Sequence, residues 1–178
     1  MASACSAALL CAAGAQRPPR RAQLARLIAR LDSGEAFAAT LAGARLESDG
    51  ARAHLVRDAG DARRETMSEV ALPEGRPMVW DGRFEVTARS AGSWVGPLGV
   101  RTRRLTPTLR EALASLAPAA RRALPVVTHA DGAFTLPTLR PDPIVDVRPL
   151  ALPRLAAARG AIIDERALRR MAESVRPY

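Results

Sequence analysis

Lysine and asparagine are missing from this sequence altogether, and aromatic residues fill only 3% of its 178 positions. Without lysine, no lysine-dependent nucleotide loop can be built. With so few aromatics, the core must come from Leu, Val and Ala, and a single-strand stacking platform of the RRM type is disfavoured. No two glycines are adjacent, so a phosphate cradle of closely spaced backbone N–H groups has no obvious seat. The nearest approximation, Gly96-Pro97-Leu98-Gly99, has a proline in place of one donor and reads as a turn. Cys5 and Cys11, with only His54 and His129 as histidines, form neither a disulfide framework nor a metal-ligand pattern. A reducing cytoplasm is therefore the expected setting. No apolar run approaches the roughly 18 residues of a membrane span.

What is present is arginine. All 27 basic residues are Arg, and the formal net charge is +9. Such a surface attracts polyanions, and the planar guanidinium fork suits phosphate. Arginine pairs stand at Arg20-Arg21, Arg63-Arg64, Arg103-Arg104, Arg121-Arg122 and Arg169-Arg170, with Arg101 beside the third. Phosphate and shape contacts to folded RNA fit this pattern better than base stacking does. Arg63, Arg64, Arg101, Arg103, Arg104, Arg121 and Arg122 are the candidate RNA contacts.

An apolar content of 48% is too high for a disordered tail, and the length suits one domain or two small ones. Near the N-terminus, Ala13-Gly14-Ala15 imitates a signal-peptidase site, but nothing before Leu9 is positively charged. With Asp32 as the first acidic residue, an Arg-rich transit peptide is the other targeting alternative. The favoured reading is the end of a helix at Gly14, with Pro18 and Pro19 preventing continuation. Arg20 to Leu31 carries Leu24, Leu27, Ile28 and Leu31 at helical spacing, and Ser33-Gly34 ends it.

From Glu35 the period changes to two. Phe37, Ala39 and Leu41 alternate, Gly43 breaks the alternation as a bulge does, and Leu46 leads to Asp49-Gly50, a hairpin turn with Ala53 to Arg57 as the return strand. Asp81-Gly82 and Asp131-Gly132 repeat the device. The polar stretch between Gly60 and Gly75 reads as a loop. Thr106-Pro107 starts a helix that Pro118 interrupts. Prolines at 141, 143, 149 and 153 predict extended chain, and Asp164 caps a final helix bearing Leu168, Met171, Ala172 and Val175. The expected class is α+β: an N-terminal helical element over 1–34, an antiparallel, hairpin-built β region over 35–140, and a helical and proline-rich C-terminal segment over 141–178.

No residue qualifies for catalysis. His54, between Asp49 and Asp58, reads as an exposed strand residue, and His129 as a turn-flanking one. Ser93 and Ser115 have no nucleophile elbow. Asp81 has a turn to make, and Trp80 reads as a core anchor.

Four segments carry a resemblance. Leu10-Cys11-Ala12-Ala13-Gly14 runs into Arg17-Pro18-Pro19-Arg20, and Leu41-Ala42-Gly43-Ala44-Arg45-Leu46-Glu47, Arg57-Asp58-Ala59-Gly60 and Trp80-Asp81-Gly82-Arg83-Phe84 follow in order. Together they resemble the C-terminal portion of tRNA(Ile)-lysidine synthetases of the alphaproteobacterial type, over approximately residues 7–137. That family is a ligase that uses ATP and magnesium to attach lysine to the anticodon wobble cytidine. Its Ser-Gly-Gly-x-Asp-Ser loop does not occur in these 178 residues. The resemblance implies a part in tRNA modification through tRNA binding, alongside a separate catalytic domain or subunit. The alternatives are a stand-alone basic RNA-binding module and a truncated, non-functional fragment.

Overall fold

The computed structural model describes residues 2–60, 67–99 and 101–160; the expected helix after Asp164 lies outside them. Helix α1 spans Ala2–Ala13 and stops where expected: Gly14 takes φ 64°, and the Ala15 N–H reaches back to the Leu10 carbonyl at 3.1 Å. This left-handed stop satisfies a carbonyl the helix would otherwise leave open. Helix α2, Arg21–Asp32, turns Leu24 and Leu27 inward. In its last turn, Arg30 pairs with Glu35 beyond the helix end and lies 4.0 Å over the Phe37 ring.

Strands β1 (Ala36–Leu41), β2 (Ala44–Asp49) and β3 (Ala53–Arg57) form an antiparallel meander. Gly43 is no bulge. Ala42 (φ 52°) and Gly43 (φ 79°) make a two-residue hairpin turn, with Leu41 opposite Ala44. Positive φ at both central residues is the twist that tight hairpins need. At the next turn, Asp49 Oδ1 accepts the backbone N–H groups of Ala51 and Arg52. The helices cover one face of this sheet: Leu9, Ala13, Leu24, Leu27, Phe37, Ala44 and Leu46 share a core. Residues on both sides of position 34 thus contribute to one buried cluster. Each large member contributes on the order of 1.5–3 kcal/mol by leaving water.

Two further sheets enclose a second core. One has the order β10-β6-β5, from Val145–Pro149, Phe84–Ala88 and Met78–Trp80. The other is β4-β7-β8-β9, from Val70–Ala71, Trp94–Pro97, Pro125–Thr128 and Phe134–Thr135. Trp80, Phe84, Val86 and Val145 from the first meet Val95 and Val127 from the second, with Met67 and Leu72 beside them. The stretch read as a loop therefore contributes strand β4 and two buried side chains. Gly96-Pro97 closes strand β7 rather than forming a turn. Pro97 sits on the last rung, opposite Pro125, where a missing N–H costs the ladder little.

A third cluster lies on the outer face of β8. It joins Val126, Leu98 and Leu136 to Leu105, which follows the 3-10 helix Arg101–Arg104, and to Leu113 of helix α3, Pro107–Ala114. The Thr106 side chain accepts the Leu109 N–H at 3.3 Å, capping α3 as read from sequence. Pro118 opens the short helix α4, Pro118–Arg121. Pro149 ends β10, but Pro153 does not enforce extended chain: it is the third residue of helix α5, Ala151–Ala158. In a first turn the N–H that proline lacks has no helical acceptor, so the residue is tolerated there.

Candidate functional site

The Trp80-Asp81-Gly82-Arg83-Phe84 segment proves to be a junction. Asp81, at φ 50°, turns its carboxylate inward until 2% of the side chain is exposed. Arg83 donates from Nε to one carboxylate oxygen at 2.7 Å, and Arg57 Nε stands 3.4 Å from the other. Arg57 also donates to the Gly43 carbonyl at 2.9 Å, linking the β1–β2 turn to the cluster. Arg83 donates onward to the Ala123 carbonyl at 2.5 Å, and its guanidinium lies over the Phe84 ring. The Arg83 carbonyl accepts the Leu150 N–H at 2.7 Å, and Arg154 of α5 donates to the Gly82 carbonyl. Trp80 Nε1–H donates to Ser68 at 3.1 Å, which satisfies the indole of a core anchor.

Burial pushes the Asp81 carboxyl upward against the opposing pull of Arg83 and Arg57, and it pushes the Arg83 guanidinium downward. The junction is a clamp joining the meander, the sandwich and α5, with Gly14 at the end of α1 packed against Gly82, and its carboxylate is closed off from solvent. Its turn was legible in the sequence; its carboxylate's two arginine partners were not.

A second cluster was invisible from sequence. Ser93 Oγ lies 3.2 Å from His129 Nδ1, and His129 Nε2 lies 2.9 Å from Asp142 Oδ2. The Thr135 hydroxyl donates to the same Asp142 oxygen at 2.6 Å, and Asp142 Oδ1 accepts the N–H groups of Ile144 and Val145. His129 is thus part of a buried network rather than merely a turn-flanking residue. The order serine–histidine–carboxylate resembles a nucleophilic array, but Ser93 is 2% exposed. The network ties the β8–β9 hairpin and the proline-rich segment to β7.

Burial alone would raise the Asp142 carboxyl, but the Thr135 hydroxyl, the Ile144 N–H and His129 together hold it below the ordinary carboxylate range. A lowered folded-state value contributes stability above the unfolded value, about 3.9, and that contribution is lost as pH falls through the folded value. Urea midpoints measured from neutral pH downward should therefore fall more steeply for the wild type than for Asp142→Asn. Parallel acid limbs would refute the role of this carboxylate.

The candidate RNA-contacting arginines separate into distinct groups. Arg63 and Arg64 lie outside the described residues, as does the Arg104 side chain. Arg121 donates to the Leu116 and Ala114 carbonyls at 2.9 and 3.0 Å, capping the end of α3. Arg101 pairs with Glu69 at 2.6 Å on the surface. Arg103 and Arg122 are exposed. Backbone bonds from Leu98 to Leu124 and from Gly99 to Arg122, at 2.8 and 2.9 Å, bring the segments of Arg101, Arg103 and Arg122 side by side.

The residues of Gly96-Pro97-Leu98-Gly99 do not fit a nucleotide phosphate: a side-chain atom on Gly96 would meet Glu69, and Leu98 is buried. Among the described residues, no group of three His, Cys, Asp or Glu side chains is placed to hold a metal ion. His54 is exposed on β3. No helix among the described residues is long and apolar enough to cross a membrane.

These features define an α+β chain with a buried arginine–aspartate clamp and an arginine-bearing outer surface. Over 127 residues it is 50% identical to the tRNA(Ile)-lysidine synthase of Caulobacter vibrioides, an alignment covering 71% of this chain and 31% of that protein. The resemblance carried by the four sequence segments is thereby borne out: the chain is homologous to part of a tRNA(Ile)-lysidine synthase. It spans about a third of the length of this curated relative. No family model matches the chain, and no solved structure matches it significantly.

Proposed function

We propose that this chain serves tRNA modification as the tRNA-binding, C-terminal portion of a lysidine synthetase. Lysine is joined to the anticodon wobble cytidine in the cytoplasm, and ATP and magnesium are handled by a separate catalytic domain or subunit. The observation that carries this reading is the 50% identity to a tRNA(Ile)-lysidine synthase. Support comes from the +9 charge and from the adjacent surface segments bearing Arg101, Arg103 and Arg122. The alternative, a stand-alone RNA-binding module derived from such an enzyme, draws on the same charge and the same identity, and the assays below separate the two.

Folded tRNA should bind with strong salt dependence. Arg103→Gln and Arg122→Gln should each reduce the log–log salt slope by roughly 0.7–0.9 where a phosphate contact is lost. Arg121→Gln should instead lower stability, because its donors serve the helix end. Binding that ignores salt would end the RNA-binding reading. A second assay concerns chemistry. The chain incubated with ATP, lysine and isoleucine tRNA bearing a CAU anticodon should yield no lysidine, and supplying the catalytic part of a lysidine synthetase should restore the product. Lysidine from the chain alone would overturn this division of labour, and no restoration would favour the module.

A further inference from the structure

Val79, Trp94 and Leu152 are exposed large apolar side chains, and Trp94 is the aromatic one among them. Trp80 is 3% exposed, whereas Trp94 is 47% exposed, in a protein so short of aromatics that each of its indoles would be expected to serve the core. On strand β7 its neighbour Val95 points into the sandwich core, so Trp94 and Gly96 face the other way. That outer face carries the third apolar cluster from Val126 onward, under Leu105 and Leu113. The rung of Trp94, with Ala71 on one side and Thr128 on the other, lies beyond that cover.

The next rung on this face is shaped by Glu69. Its β- and γ-carbons stand 3.4 Å from where a side chain on Gly96 would begin, and its carboxylate holds Arg101 at 2.6 Å. Trp94 and Gly96 lie two residues apart on one face, about 6–7 Å along the strand, and Glu69, packed at Gly96, holds the Arg101 guanidinium. The Arg101–Arg103 turn then leads to the segment of Arg122.

We infer that Trp94 is a base-stacking residue, taking an unpaired nucleobase of the bound RNA while Arg101 and its neighbours hold the adjoining phosphates. Indole offers a large flat face to any base, and stacking needs no sequence-specific hydrogen bonds. The charge balance selects this occupant: a nucleic acid supplies the polyanion that a +9 chain attracts, together with a flat apolar partner. This inference rests on the RNA-binding reading and adds a point of contact that phosphate recognition alone does not require.

The test uses the full chain, an unmodified tRNA transcript and a blunt RNA duplex of similar length. Trp94→Ala should weaken tRNA binding by about five- to a hundredfold with an unchanged salt slope, and Trp94→Phe should retain most of the affinity. Binding to the duplex, which has no unpaired base, should be the same for all three proteins. In the wild type, tRNA should shield the indole fluorescence of Trp94 from acrylamide. Circular dichroism and sedimentation of each variant control for folding and self-association. Equal tRNA affinity in Trp94→Ala overturns the stacking role while leaving salt-dependent RNA binding intact. An equal loss on the duplex overturns it as well, as does a wild-type dimer that Trp94→Ala dissolves. Absence of any tRNA binding by the wild type instead removes the underlying RNA-binding reading.

Discussion

Asp81→Ala is expected to destabilise the protein by about 3–5 kcal/mol, the usual cost of removing one member of a buried ion pair and stranding the other. Here two guanidinium groups converge on one carboxylate, and their side chains are only 3% and 10% exposed. Solvent cannot replace the missing anion without opening the junction. A loss of this size is a large fraction of the roughly 5–15 kcal/mol that separates folded from unfolded domains. The effect should spread beyond the turn, because Arg57 holds the β1–β2 hairpin and Arg83 holds Ala123.

Urea unfolding gives the measurement, and a double-mutant cycle gives the cause. Arg83→Met added to Asp81→Ala should cost much less than the two single losses summed, since the second change removes a charge the first has stranded. Additive losses would show that Asp81 acts only through its turn. A loss below about 1 kcal/mol for Asp81→Ala, within the range of an exposed pair, would sink the clamp altogether.

The same residue shows what a sequence can disclose. Asp-Gly turns at 49–50, 81–82 and 131–132 were readable because glycine supplies left-handed backbone at each, while aspartate tolerates it or accepts N–H groups just ahead, as Asp49 and Asp131 do. Asp81 and Gly82 do adopt φ 50° and 62°. Ala42-Gly43 makes a turn of the same sort, but alanine carries no such cue, so two strands read as one. Pro97 and Pro153 misled for a common reason. Proline excludes a strand or helix only where its N–H is needed, and these stand at a strand's last rung and in a helix's first turn.

Site geometry was less legible than the fold. Asp81 meets Arg57, and His129 meets Ser93 and Asp142, across separations along the chain that have no period. The exposure of Trp94 depends on where α3 and its neighbours stop covering a sheet, which no local pattern records. Charge gave the arginines, but it did not distinguish Arg121, engaged with helix-end carbonyls, from Arg122, which is exposed.

Gly82→Ala is the second change expected to have a large effect, and it tests how α1 is attached. Gly14 and Gly82 meet backbone to backbone: a side-chain atom on Gly82 would stand 2.2 Å from the Gly14 carbonyl oxygen, and one on Gly14 would stand 2.0 Å from the Asp81 carbonyl oxygen. Neither obstacle is a flexible side-chain end, so α1 or the turn must move. Alanine at φ 62° already costs about 1–2 kcal/mol for left-handed backbone, and overpacking adds about 1–3 kcal/mol. Gly75→Ala separates the two contributions, because Gly75 has φ 66° with nothing within 4 Å of an added atom. Gly82→Ala should therefore unfold at clearly lower urea than Gly75→Ala. It should also expose the linker arginines Arg17, Arg20 and Arg21 to faster tryptic cleavage as α1 lifts from Leu46 and its neighbours. Equal midpoints for the two variants would mean that the contact between these glycines yields freely, and that α1 is held by its apolar face alone.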